Sequence, residues 1–190
     1  MVMTHSRMLA LGTSAPEFSL PDPSGALHGL NEFADSKALL VAFICNHCPY
    51  VKHMVHGLVQ FAHDYQPRGV AVVAINSNDA SRYPDDSPAN MAQLAAQKRF
   101  NFPYLYDASQ AVAQAYQAVC TPDLYLFDQA RRLVYRGQFD ASRPGNKQPV
   151  SGADLRAAAD ATLAGRTIKE QIPSVGCNIK WKAGQEPVWA

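Results

Sequence analysis

The 190-residue chain has no apolar run approaching the roughly 20 residues that cross a bilayer, which argues against a membrane partner. Nor has it an excess of either charge: 17 Lys and Arg stand against 16 Asp and Glu, a formal net charge of +1. A protein that follows a phosphate backbone carries a basic surplus, so no nucleic acid partner is expected. The opening MVMTHSRMLALG follows one Arg with only a handful of apolar residues, too few for the core of a secretory signal. Export by that route is not expected, and a cytoplasmic location is. Cysteine is scarce, with 4 residues in the chain, which excludes a dense disulfide scaffold and suits a redox or metal set in a reducing compartment. No repeat, low-complexity segment, Gly-rich phosphate loop or Ser-His-Asp order stands out.

What is present reads as one α/β unit. At 47% hydrophobic the chain can bury a core of its own. ALLVAFI (38–44) and VAVVAI (70–75) are continuous apolar runs of strand length, suited to strands covered on both faces of a parallel sheet. Between them Val51, Met54, Val55, Leu58, Phe61, Ala62 and Tyr65 recur at helical spacing and predict a helix from about Pro49 to Tyr65, completing a βαβ crossover. Ser87 and Pro88 read as the N-cap and first position of a second helix to about Arg99. FPYLYD is a short extended segment. Asp107 with Gln110 resembles a capping box opening a third helix that buries Val112, Ala115, Tyr116 and Val119. DLYLFD and RLVYRGQ, joined through DQAR, predict an antiparallel hairpin. Ser151 starts a last helix on Leu155, Ala159 and Leu163, and 166–190 is a tail rich in Pro, Gly and Lys. The expected fold is α/β, a central mixed sheet flanked by helices.

FICNHCPYVKH (43–53) carries the chemistry. Pro49 is suited to the first position of a helix and so places Cys48 at the N-cap, facing unpaired backbone N–H groups and the positive end of the helix dipole. Both favour a thiolate. A free thiol near pKa 8.5 is only about 3% ionised at pH 7, and a fall of about two units makes thiolate the majority form. Cys45 lies one short loop upstream, placed to form a disulfide with Cys48, and a cationic His47 would stabilise the thiolate further. Two alternatives stay open: a pair of small buried side chains, and a zinc site, for which C-x-x-C supplies only two ligands and no second pair at finger spacing accompanies it. C-x-x-C beside a βαβ pattern is the more specific redox signal.

With CTPDLYLFD, whose Pro122 precedes a strand, this order of elements resembles the thioredoxin superfamily. LGTSAPEFSL, FICNHCPYV, VAVVAINSND, YRGQFDASRPGN and GCNIKWK together resemble its peroxiredoxin-like members, the alkyl hydroperoxide reductase and thiol-specific antioxidant group, over nearly the whole chain. The resemblance implies a single thioredoxin-like domain over 1–190, with a core of about 36–165, an N-terminal extension, an inserted helix-strand segment and the tail 166–190. It implies that Cys45 and Cys48 are the redox pair and that Thr121-Pro122 is the cis-proline loop presenting backbone to an extended substrate. The usual thioredoxin order makes the first cysteine the nucleophile, whereas ungapped counting from Phe43 gives that place to Cys48, in agreement with the N-cap argument. Peroxiredoxins resemble P-x-x-x-T-x-x-C, and here Val41 and Cys45 occupy the Pro and Thr places, so a fast peroxidase is not expected. His47 resembles the histidine of strongly oxidising members, which would raise the potential above thioredoxin's about −270 mV.

Cys120, beside Pro122, and Cys177, in the tail, are candidate additional redox thiols, each with a plain packing alternative. His53, His56 and His63 share a helix face with Gln60. His53 and His56 could ligate a metal with the cysteines, but a solvated face is the simpler reading. Trp181 and Trp189 suit an apolar cover or a subunit interface. The expected function is a thiol-disulfide oxidoreductase using a Cys45-Cys48 couple, with no cofactor and no metal. Its partners would be a disulfide-containing protein or small molecule and an external thiol reductant. A thiol-dependent peroxidase with Cys48 peroxidatic and Cys45 resolving is the alternative, and a metal-binding or redox-sensing module is an alternative of another class.

Overall fold

The computed structural model describes residues 3–189. In chain order these form β1 (Met3–His5), β2 (Ser19–Pro21), β3 (Leu27–Gly29), β4 (Ala38–Phe43), α1 (Pro49–Tyr65), β5 (Val70–Asn76), α2 (Pro88–Lys98), β6 (Tyr104–Tyr106), α3 (Ala111–Ala115), β7 (Cys120–Thr121), β8 (Asp123–Asp128), β9 (Leu133–Arg136), α4 (Ala153–Leu163) and β10 (Val175–Asn178).

Every residue of β4 is buried, because β4 lies in the middle of a five-stranded sheet of order β6-β5-β4-β8-β9. Its parallel partner β5 is reached through the α1 crossover, and its antiparallel partner is β8, with Phe43 opposite Ile75 on one side and Asp123 on the other. Alternate side chains leave a strand on opposite faces. Accordingly Ala38, Leu40, Ala42 and Ile44 join α1 and α4 in one apolar cluster, while Leu39, Val41 and Phe43 join Val112, Tyr116 and Tyr125 in another. A continuous apolar run is what a strand covered on both faces requires. The α/β class, the mixed sheet and the β8–β9 hairpin agree with the expectation. Among the described residues no helix is long and apolar enough to cross a membrane.

Three details differ from the sequence reading. The third helix stops at Ala115 rather than Val119, because Gln117 adopts a left-handed φ of 52°. Asp107 does not cap it in the expected way: Gln110, at φ 64°, is the N-cap, and the buried Asp107 carboxylate accepts from Ala113 N–H at 2.9 Å and Ser77 Oγ at 2.9 Å. The tail also contributes a strand. β10 lies between β1 and β7 in a second sheet, and β2 with β3 forms a separate hairpin.

Candidate active site

The site lies where β4 ends and α1 begins. Cys48 is the N-cap of α1 in extended backbone (φ −65°, ψ 124°), with Pro49 opening the helix. As a thiol it donates to the carbonyl of Thr121 at 3.0 Å. As a thiolate it accepts from the Cys45 thiol, from Val51 N–H in the first turn, and from both the thiol and the backbone N–H of Cys177. The Cys45 hydrogen bond is the largest of these influences, and together they overcome burial and bring Cys48 down to about 5. Cys45 moves the other way. Donating to Cys48, burial and the Asp86 charge hold it well above the ordinary thiol range, against the pull of Thr121, whose Oγ1 lies 3.2 Å from Cys45 Sγ. The two thiols thus share one proton, kept on Cys45. Both are fully buried, and no disulfide joins the four cysteines.

His47 makes its hydrogen bond to Asp86, with Nδ1 2.5 Å from Oδ2, and stacks on Tyr83 with ring centroids 5.6 Å apart. Asp86 lies in a short 3₁₀ turn (Pro84–Asp86) just before α2 and is wholly buried. Burial raises its carboxyl, but hydrogen bonds from His47, Asn78 and Asn46 N–H outweigh this and leave it below the usual range. Asn46 N–H reaches Asp86 at 2.7 Å, Asn78 Nδ2 at 2.8 Å, and Asn46 Nδ2 donates to Asp85 O at 2.8 Å. The inserted segment therefore latches the loop between the two cysteines. No sequence motif marks Asp86 for this, because its partners in that loop, Asn46 and His47, lie about forty residues away.

Across from Cys48 the Thr121-Pro122 peptide bond is cis. Asp123 follows it, fully buried, with Oδ2 accepting from Tyr125 OH at 3.1 Å and Oδ1 without a partner. Burial pushes this carboxyl up to about 8, so it is mostly protonated at neutral pH. Sequence reasoning missed it. The signal was an acidic residue at the head of an otherwise apolar strand. Cys120 is buried with Sγ 3.6 Å from Pro122 O, and burial raises its thiol. Cys177 sits on β10 opposite Thr121. The structure thus gathers Cys45, Cys48, Thr121, Pro122 and Cys177 together, with His47 set toward Asp86.

Cys45 lines a cleft of roughly 310 Å³ with Asn46, Val51, Lys52, Val55 and Leu94 between α1 and α2. His47 lines another, of roughly 380 Å³, with Arg82, Tyr83 and Lys180. Cys45, His47 and Asp86 also bring one potential metal-ligand atom each within 4.8 Å of one another, although the Asp86 carboxylate already accepts three hydrogen bonds. His53 and His56 are not in that group: His56 Nε2 pairs with Lys98 Nζ at 3.2 Å. Trp181 and Trp189 pack edge to face, centroids 6.2 Å apart, against the Leu39, Val41 and Phe43 face.

The model of the AhpC/TSA family matches residues 11–136. The structure of a hypothetical protein from Sinorhizobium meliloti is 55% identical, covers 95% of this chain and 100% of that one, and superposes with a TM-score of 0.94. Thiol-disulfide oxidoreductase ResA of Geobacillus thermodenitrificans is 25% identical over 125 residues, 66% of this chain and 67% of its own. The thioredoxin domain of a thiol-disulfide oxidoreductase from Bacteroides vulgatus, 18% identical, covers 78% of this chain and 98% of that one at a TM-score of 0.60. That likeness shows that the fold is thioredoxin-like.

Proposed function

The chain belongs to the AhpC/TSA family, the peroxiredoxin-like branch of the thioredoxin superfamily, and on that premise we propose that it is a thiol-disulfide oxidoreductase in which Cys48 attacks and Cys45 resolves. The observation that carries this reading is the pair itself: Cys48 at the helix N-cap, accepting a hydrogen bond from a Cys45 that retains its proton. The thiolate is the nucleophile of thiol-disulfide exchange. Cys48 thiolate attacks a disulfide R–S–S–R′, forming Cys48–S–S–R and expelling R′–S⁻. The charge that held the Cys45 proton is then gone, so Cys45 ionises more readily and attacks Cys48 Sγ. The Cys45-Cys48 bond forms, R–S⁻ leaves, and two electrons have passed to the substrate. An external dithiol resets the pair. Thr121 meets both sulfurs: its hydroxyl lies beside Cys45 Sγ, and its carbonyl accepts from Cys48 only when Cys48 is a thiol.

Cys48→Ser is expected to abolish turnover of any disulfide substrate, whereas Cys45→Ser still lets Cys48 form a mixed disulfide with it. Mass mapping of the quenched variants checks this, and the reverse pattern makes Cys45 the attacker. The family itself favours a second oxidant, hydrogen peroxide, which would leave a sulfenic acid on Cys48 and then a disulfide with Cys45 as water departs. Peroxide consumption at the rate of an ordinary thiol would exclude that activity.

A further inference from the structure

The mechanism above leaves a third sulfur unused. β10 pairs antiparallel with β7, setting Cys177 opposite Thr121 and Asn178 opposite Cys120, and Ile179 N–H extends the pairing to Val119 O at 2.8 Å. The approach is close: a side chain on Gly176 would bring its Cβ to 2.0 Å from Thr121 O, the same carbonyl that accepts from Cys48. Further along, Lys180 N–H donates to Asn78 Oδ1 and Lys180 O accepts from Asp79 N–H, both at 2.8 Å, which fastens the strand to the loop after β5. The tail is therefore an extended segment held on the cis-proline edge, with its one cysteine against Cys48. Both the thiol and the N–H of Cys177 donate to Cys48 Sγ.

We propose that Cys177 is a second resolving thiol for Cys48, delivered by the tail strand, so that one nucleophile serves two internal disulfides, Cys45-Cys48 and Cys48-Cys177. The proposal rests on the reading that Cys48 attacks first. Once Cys48 carries the group R, the thiolate beside Cys177 no longer exists, and of the causes that raise this thiol only burial, the largest, persists, while the Lys180 charge pulls it down. Cys177 then loses its proton and attacks Cys48 Sγ. The Cys48-Cys177 bond forms, the Cys48–SR bond breaks, and R–S⁻ leaves with the proton as RSH. Two thiols are oxidised and one external disulfide is reduced. Attack of Cys45 on Cys48 afterwards expels Cys177 as a thiolate and moves the bond to Cys45-Cys48 with no further redox change.

The test uses full-length Cys45→Ser and Cys45→Ala proteins, reduced and then treated with one equivalent of oxidised glutathione under nitrogen, with acid quenching and mapping of disulfide peptides. Two replacements guard against a folding defect in either one, checked by melting curves. The expected product is a Cys48-Cys177 peptide. The glutathionyl adduct on Cys48 should last at least about ten-fold longer when Cys177→Ser is added, as loss of a pre-positioned intramolecular attacker requires. A lasting adduct on Cys48 whose lifetime ignores Cys177→Ser, or a bond from Cys48 to Cys120, overturns the proposal while leaving Cys48 as the nucleophile. Absence of any modification at Cys48 removes both.

Discussion

Cys48 and Asp123 are titratable groups that burial alone would drive toward neutrality, yet only Asp123 yields. Asp123 offers one oxygen to Tyr125 and leaves the other without a partner, so its carboxyl stays protonated until about pH 8. Cys48 is surrounded by donors and ionises near pH 5. Two outcomes follow. Alkylation of Cys48 by iodoacetamide, followed against pH, should hold its thiolate rate down to about pH 6 and fall as pH drops through about 5, where an ordinary thiol already fades below about 8.5. Cys45→Ala removes the largest stabilising hydrogen bond and should move that midpoint upward. For Asp123 the sign is opposite to that of a paired carboxylate. The unfolded chain loses this proton near pH 4 and the folded one near 8, so the residue costs stability increasingly as pH rises between them. Asp123→Asn should raise the melting temperature more at pH 8 than at pH 4.5. An equal change at both values would show that Asp123 is not protonated in the folded protein.

At the level of elements, those built on long periodic patterns were legible in the sequence. The α1 stripe from Val51 to Tyr65 and the apolar runs of β4 and β5 need no distant partner to be recognised, and Pro49 marks the helix start that positions Cys48. The elements that were not legible are short strands whose reason for existing lies elsewhere. Val175–Asn178 has no alternation of its own and becomes a strand because β7 offers it an edge. Asp86 likewise gains its role only when the insertion folds back on Asn46. The glycine in the tail shows how closely that pairing is specified. Gly176→Ala places a methyl group 2.0 Å from the Thr121 carbonyl, a backbone contact that cannot relax by rotamer change. The tail must shift, with an expected loss of about 1–3 kcal/mol in denaturant unfolding and faster labelling of Cys48. Unchanged stability and labelling would mean that β10 does not bear on the site.

Across the whole molecule, the sheet supports the site and the edge segments enclose it. β4 and α1, packed on both faces, hold the cysteine pair in one geometry, and the two segments added around them close it in: the insertion through Asp86 on the His47 side, the tail through Cys177 on the proline side. With all parts in place Cys45 and Cys48 are fully buried, so the proposed turnover requires one of these segments to open. The cleft that Cys45 lines shows that the site is nearer to the surface between α1 and α2. The central claim concerns the order of attack within this enclosed pair. It is tested most directly by mixing the fully reduced wild-type protein with a small disulfide, quenching in acid across the first turnover and mapping the adducts. The account predicts that the substrate group appears first on Cys48 and is replaced by a Cys45-Cys48 bond. A first adduct on Cys45, or oxidation that never joins the two cysteines, would contradict it.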